Sequence, residues 1–179
     1  MLDFYRRIKM RRFSTVAAVL VLGISAANAN DSYFGVSHKM MEADFVDLGV
    51  SLDLTGSSLV FGRQINEKLK GEIALTTYVD YNLEGISAEV TSTDISLLYF
   101  PSDSSFFLKA GLSDGEASMS GVSDDLDGKT SDSPLYYGLG FDFNMGSSTT
   151  LRLDYTTIKY EDVGETDLDG LSITVLGRF

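Results

Sequence analysis

From residue 30 onward the sequence keeps a beat of two. In Leu135-Tyr136-Tyr137-Gly138-Leu139-Gly140-Phe141-Asp142-Phe143-Asn144 the odd positions read Leu, Tyr, Leu, Phe, Phe and the even ones Tyr, Gly, Gly, Asp, Asn. Successive side chains of a β-strand point to opposite faces, so this stretch is a strand with one apolar and one polar face. Leu151, Leu153, Tyr155 and Thr157 oppose Arg152, Asp154 and Thr156 in the same way. Ile73, Leu75, Thr77, Val79 and Tyr81 oppose Glu72, Ala74, Thr76, Tyr78 and Asp80. Ile95, Leu97 and Tyr99 oppose Asp94, Ser96 and Leu98, while Leu108, Ala110 and Leu112 oppose Phe107, Lys109 and Gly111. Leu171, Ile173, Val175, Gly177 and Phe179 oppose Ser172, Thr174, Leu176 and Arg178. Two earlier segments, 32–41 and 57–65, alternate less cleanly. Helical spacing is hard to find.

The pattern predicts eight strands: 32–41, 57–65, 70–81, 92–100, 105–113, 134–144, 149–160 and 168–179. The segments joining them, 42–56, 66–69, 82–91, 101–104, 114–133, 145–148 and 161–167, alternate long and short without exception. Short turns at one end, longer loops at the other and an even strand number are the rhythm of a transmembrane barrel. Strands of about 9–12 residues are long enough to cross a bilayer at a barrel tilt. The soluble alternatives are a lipocalin-like barrel or a β-sandwich, with the apolar face inward. Two features favour the membrane form. The polar faces are rich in Gly, Ser and Thr, which suits a crowded lumen. Aromatics stand near strand ends (Phe61, Tyr81, Tyr99, Phe106, Tyr137, Phe143, Phe179), where interfacial girdles lie. The expected fold is all-β, an eight-stranded antiparallel up-and-down transmembrane β-barrel.

The first 29 residues have a different composition. Arg6, Arg7, Lys9, Arg11 and Arg12 precede an apolar run from Phe13 to Ile24, and Ala27 and Ala29 follow in A-x-A spacing. This predicts a secretory signal peptide cleaved after Ala29, since the run is short of the ~20 residues a membrane helix needs. Met10 begins a complete signal by itself and is an alternative start. The general secretory route is expected, leaving a single barrel domain over residues 30–179. Without the leader, the 14 basic and 26 acidic residues fall to 9 and 25, a net charge of −16. Such a surface repels nucleic acid and anionic head groups and attracts cations. The absence of cysteine excludes a disulfide scaffold and a cysteine metal site.

Tyr137-Gly138-Leu139-Gly140-Phe141-Asp142-Phe143, a short turn, Leu151-Arg152-Leu153-Asp154-Tyr155, and the ending Gly177-Arg178-Phe179 resemble the closing hairpins of small outer-membrane β-barrel proteins of the outer membrane protein A and X type. The resemblance covers the whole mature chain in architecture and the last ~45 residues in motif, as an even-stranded barrel family would. It implies the outer membrane of a Gram-negative bacterium, with outer-membrane lipid, lipopolysaccharide and the barrel-assembly machinery as partners. It further implies that Phe179 is part of the assembly signal and an interfacial anchor; with the sequence stopping there, the periplasmic peptidoglycan-binding domain that follows some such barrels is not expected.

Three groups of residues are candidates for function. Glu72, Asp80, Asp94, Asp142 and Asp154, with Lys109, Arg152 and Arg178, fall on the lumen face. They read either as the lining of a narrow, selective pore or as ion pairs that plug the barrel. An eight-stranded barrel is about filled by its own side chains, which favours the plug. His38 is the only histidine. A lipid-modifying enzyme, acyltransferase or deacylase, would need Ser, an orienting acid and an oxyanion site beside it. Ser37 points to the opposite face, and nothing in the sequence brings Ser51, Ser57 or Ser58 close. Finally, Asp-Leu-Asp-Gly occurs at 125–128 and at 167–170. An EF-hand needs Glu at its twelfth position, where Pro134 and Leu176 stand, so that motif is rejected. Asp125, Asp127, Asp167 and Asp169 remain candidates for a weak, open divalent-cation site, against a plain solvated acidic surface. Such loops would share the cations that bridge lipopolysaccharide. No cofactor is expected. The reading is a non-enzymatic envelope or surface barrel, with a narrow channel for ions or small solutes as alternative and a lipid-modifying enzyme behind both.

Overall fold

A computed structural model describes residues 32–45, 50–78, 87–102, 104–120, 130–132, 134–160 and 166–179. The predicted signal peptide, Asp80, Asp125 and Asp127 lie outside these residues. The strands are β1 (Ser32–Phe45), β2 (Val50–Asn66), β3 (Leu69–Tyr78), β4 (Ser87–Tyr99), β5 (Phe106–Ser120), β6 (Thr130–Asp132), β7 (Leu135–Asn144), β8 (Thr149–Tyr160) and β9 (Thr166–Arg178). Every pairing is antiparallel, and the sheet closes because β1 pairs with β9 and β4 with β5. The three-residue β6 continues β7 along the same edge of β5, in unbroken register: Gly115 faces Asp132 as Leu112 faces Leu135. Pro134 interrupts it, because proline has no N–H for the ladder. The barrel therefore has eight wall positions, and no helix occurs among the described residues.

Register sets the tilt. Stepping from Tyr33 through its successive partners Gly62, Glu72, Ser96, Gly111, Tyr136, Ile158 and Leu168 returns to β1 at Ala43, ten residues beyond the start. A closed small barrel with such a stagger has strands inclined by ~35–45°. The turns at the short-loop end are compact. Asn66 holds one of them, its Oδ1 accepting from the backbone N–H of Lys68 and Leu69, both at 2.9 Å.

The faces are inverted relative to a soluble protein. Leu135, Tyr137, Leu139, Phe141 and Phe143 of β7 and Leu171, Ile173 and Val175 of β9 are exposed on the outside. Glu72, Asp94, Asp142, Arg152 and Asp154 are buried inside. Phe34, Phe61, Phe106, Phe141 and Phe143 form an aromatic band near the short-turn end, with ring centroids 5.4–6.3 Å apart. Ile73 has outward parity but is 8 % exposed, flanked in register by Phe61 and Ile95.

Strand limits differ from the sequence expectation at the long-loop end. β1 continues to Phe45 and β2 begins at Val50, so most of the expected 42–56 connection is hairpin. β4 begins at Ser87 and β5 runs to Ser120. The physical reason is a reversal of polarity along unbroken strands. Below the reversal, Phe34 and Val36 point out; above it, on the same parity, Glu42 and Asp44 are exposed while Met41 and Ala43 are buried. On β2, Ser51, Asp53 and Thr55 are exposed and Leu54 packs inward. The barrel has membrane-protein polarity along its belt and soluble-protein polarity where it projects beyond it.

Candidate functional site

The lumen holds the chain's densest chemistry, in three layers. The floor, near the short turns, is Leu98, Phe100 and Phe107. Above it lies an ionic layer centred on Arg152, 1 % exposed. Its Nε donates to Asp142 Oδ1 at 2.6 Å and its Nη2 to Asp142 Oδ2 at 3.1 Å, while Nη1 donates to Glu72 Oε1. Lys70 Nζ joins Asp142 Oδ2 at 2.9 Å, and Tyr33 donates its hydroxyl to Glu72 Oε1 at 2.6 Å. The cations also lie on aromatic faces: Arg152 Cζ is 4.9 Å from the Phe107 centroid and Lys70 Nζ 4.2 Å from that of Phe100. Glycine makes room for these rings. A Cβ on Gly62 would collide with the Tyr33 ring, and one on Gly140 with Phe107.

Midway, Lys109 Nζ stands 3.5 Å from Asp154 Oδ2. Lys39 Nζ bonds Asp94 Oδ2 at 2.9 Å and Thr76 at 3.0 Å, and Ser113 donates to Asp94 Oδ1 at 2.6 Å. Four buried acids thus face four cations, Lys39, Lys70, Lys109 and Arg152, and the described lumen is neutral. The top layer is apolar: Met41, Tyr78, Tyr136 and Ile158, with Leu54 and Leu168 packed against them. Between the middle and top layers is a cavity of about 10 Å³, lined by Lys39, Asp94, Lys109, Tyr136 and Thr156 among others. That is space for about one water.

The structure brings together five of the lumen residues expected from sequence, Glu72, Asp94, Asp142, Arg152 and Asp154, and pairs the sixth, Lys109, with Asp154. Arg178 is a correction. It has the inward parity but is exposed at the short-turn mouth, bonding Asn144 at 2.9 Å and Thr150 at 3.1 Å, because β9 ends there. Lys39 and Lys70 were not foreseen. Parity from Glu72 puts Lys70 inside. Lys39 lies in a segment with large residues on both faces, where alternation carries no signal.

His38 is exposed on the outer wall, with Ser57 and Ile173 as its cross-strand partners; no carboxylate is in register with it. Ser37 is buried and accepts from Thr174 at 2.8 Å. Asp167 pairs with Lys159 at 3.3 Å, and Asp169 accepts from Thr157 at 2.5 Å. Among the described residues no group of three or more ligands is placed to hold a metal. Phe179 is 64 % exposed, and its N–H donates to Ser32 O at 3.3 Å, extending the seam between β1 and β9 at the short-turn end.

The family model described as outer membrane protein beta-barrel domain matches residues 14–179. Among solved structures, neisserial surface protein A is similar at a TM-score of 0.62 and 21 % identity, over 83 % of this chain and 97 % of that one. Ail, the attachment invasion locus protein of Yersinia pestis, is similar at 0.61 and 15 %, over 85 % and 100 %. OprG from Pseudomonas aeruginosa is similar at 0.50 and 11 %, over 85 % and 97 %. No curated protein sequence matches the chain. The exposed apolar belt is accordingly the surface that meets the lipid of a Gram-negative outer membrane.

Proposed function

Because the chain belongs to the outer membrane protein beta-barrel domain family, we propose that it is a sealed, non-enzymatic surface barrel. Its role lies in envelope structure or surface contact, through its acidic outer end. The lumen carries this reading. Among the described residues its four carboxylates and four cations are matched, its floor and top are apolar, and the space between the middle and top layers is a cavity of about 10 Å³. A permeating ion would have to part buried pairs and then pass an apolar layer, both costly steps in a low-dielectric interior. The surroundings of His38 support the non-enzymatic part, since Ser57 and Ile173 flank it with no acid to orient an imidazole.

The outer wall suggests what the barrel meets. Glu42, Asp44 and Asp53 are exposed there, beside Asp167 and Asp169 of β9. Ail was crystallised with the heparin analogue sucrose octasulfate. An acidic wall repels such polyanions and favours cationic or cation-bridged surroundings, including lipopolysaccharide held together by divalent ions. The test is single-channel recording of the refolded protein, with insertion verified independently. Silence is expected. Discrete, reproducible openings would reject the sealed barrel and put a narrow channel in its place.

A further inference from the structure

The lipid-facing belt is not equally tall all round. Between Ser57 and Arg63, β2 turns two apolar side chains outward, Leu59 and Phe61. On the opposite wall, β7 shows Leu135, Tyr137, Leu139, Phe141 and Phe143 without a break. Register fixes the relative depth of the two strands. The ten-residue stagger is shared by eight strand steps, so the four steps from β2 to β7 climb five residues. The row through Gly62 leads to Tyr136, so Gly62 is level with Phe141, five residues below Tyr136. By the same offset Ser57 is level with Tyr136, and Arg63 with Asp142. Where β2 presents Ser57 to the outside, β7 presents Leu135 and Tyr137; where β2 presents Arg63, β7 presents Phe141 and Phe143. Each residue of a strand inclined at ~35–45° adds ~2.6 Å of height, so the apolar span is at least ~21 Å on β7 and under ~16 Å on β2.

The belt is short at both ends of β2, and that decides how the mismatch is resolved. A tilt of the whole barrel moves both boundaries of one wall the same way. It would bring Ser57 towards water only by drawing Arg63 deeper. Arg63 is long enough to snorkel, and the Ser57 side chain is not. Ser57 also has a polar path to the outside. Thr55 and Asp53 continue its column to the projecting acidic end, and His38, Thr77 and Thr91 stand in its row, all of them exposed. On β1 the exposed Met40 still follows His38, so the step is deepest on β2. A belt shorter than the hydrocarbon around it draws the bilayer thinner at the contact.

We infer that the β2 wall is met by a locally thinned bilayer, its two head-group layers drawn in to Ser57 and Arg63, while the lipid against β7 keeps ordinary thickness. The chain contains no cysteine, so single cysteines report where water reaches. Ser57→Cys is compared with Leu135→Cys at the outer end, and Arg63→Cys with Phe143→Cys at the short-turn end. In each pair the β7 site stands one residue nearer the surface, so a flat bilayer exposes it first. The variants, each with the gel mobility of a folded barrel, are placed in dioleoyl phosphatidylcholine vesicles and, separately, expressed in native outer membranes. A membrane-impermeant maleimide is present on both sides. The β2 site is expected to react roughly tenfold faster than its β7 counterpart at both ends, because only a thiolate in water is modified. Equal or faster reaction at the β7 sites would mean a flat bilayer. A fast Ser57→Cys with a slow Arg63→Cys would mean a tilted barrel. Ser57→Cys open in vesicles but closed in native membranes would mean that a protein covers the wall. Each of these three results overturns the thinning.

Discussion

Arg152→Met removes the centre of the ionic layer while keeping volume and unbranched shape. The two carboxylates it leaves differ. Asp142 keeps Lys70 at 2.9 Å. Glu72, 3 % exposed, keeps only the hydroxyl of Tyr33 at 2.6 Å, so its charge is left without a cation in contact. Breaking a buried pair from one side costs ~3–5 kcal/mol, and that loss is expected here. Adding Glu72→Gln removes the stranded charge and should recover most of it. The double variant should stay below the parent by about 1–2 kcal/mol, because the guanidinium stacked 4.9 Å over Phe107 is not replaced. Urea titration in lipid vesicles measures this, with the folded fraction read from far-ultraviolet circular dichroism and from the faster migration of unheated barrel on gels. A loss under ~1 kcal/mol for Arg152→Met, or a further loss on adding Glu72→Gln, would refute the claim that the stranded carboxylate dominates.

Leu153→Arg places a cation on the lipid face and should cost ~2–4 kcal/mol, whereas the lumen-facing Thr156→Ser should stay under ~1 kcal/mol in the same titration. The reverse order would mean that the two faces are assigned the wrong way round. Deleting Phe179 removes an exposed ring and one peripheral backbone bond to Ser32. Refolded in vitro, the shortened barrel should lose less than ~1 kcal/mol. In cells it should reach the outer membrane poorly and be degraded in the periplasm, as cell fractionation would show; normal insertion would remove the assembly role of the terminus.

How far the fold was legible can be judged from particular strands. β7, β8 and β9 were legible because one face is apolar and the other small or polar, a period that only an extended chain can use. The same rule hid the outer halves of β1 and β2. There Glu42, Asp44 and Asp53 point out and Met41, Ala43 and Leu54 point in. The alternation persists, but its chemistry reverses where lipid gives way to water, and an apolar-outward pattern stops at that boundary. Lys39 is hidden for a related reason, since its inward neighbours are Ser37 and Met41 and its outward ones His38 and Met40, one polar and one apolar on each face. Arg178 has lumen parity without lumen depth, and parity cannot distinguish a mouth from an interior.

The sequence by itself determined the two-faced strands, their even number, the alternation of short and long connections and the acidic balance, because each is written in neighbouring residues. Only the tertiary structure decided which charges meet. Glu72 and Arg152 are 80 positions apart. They face each other because the ten-residue stagger accumulated around the closed ring brings β3 and β8 together at one depth. Register is a property of the whole circuit. So are the matched charges of the described lumen and the apolar layers above and below them, which follow from strand pairings that no local stretch of the chain contains.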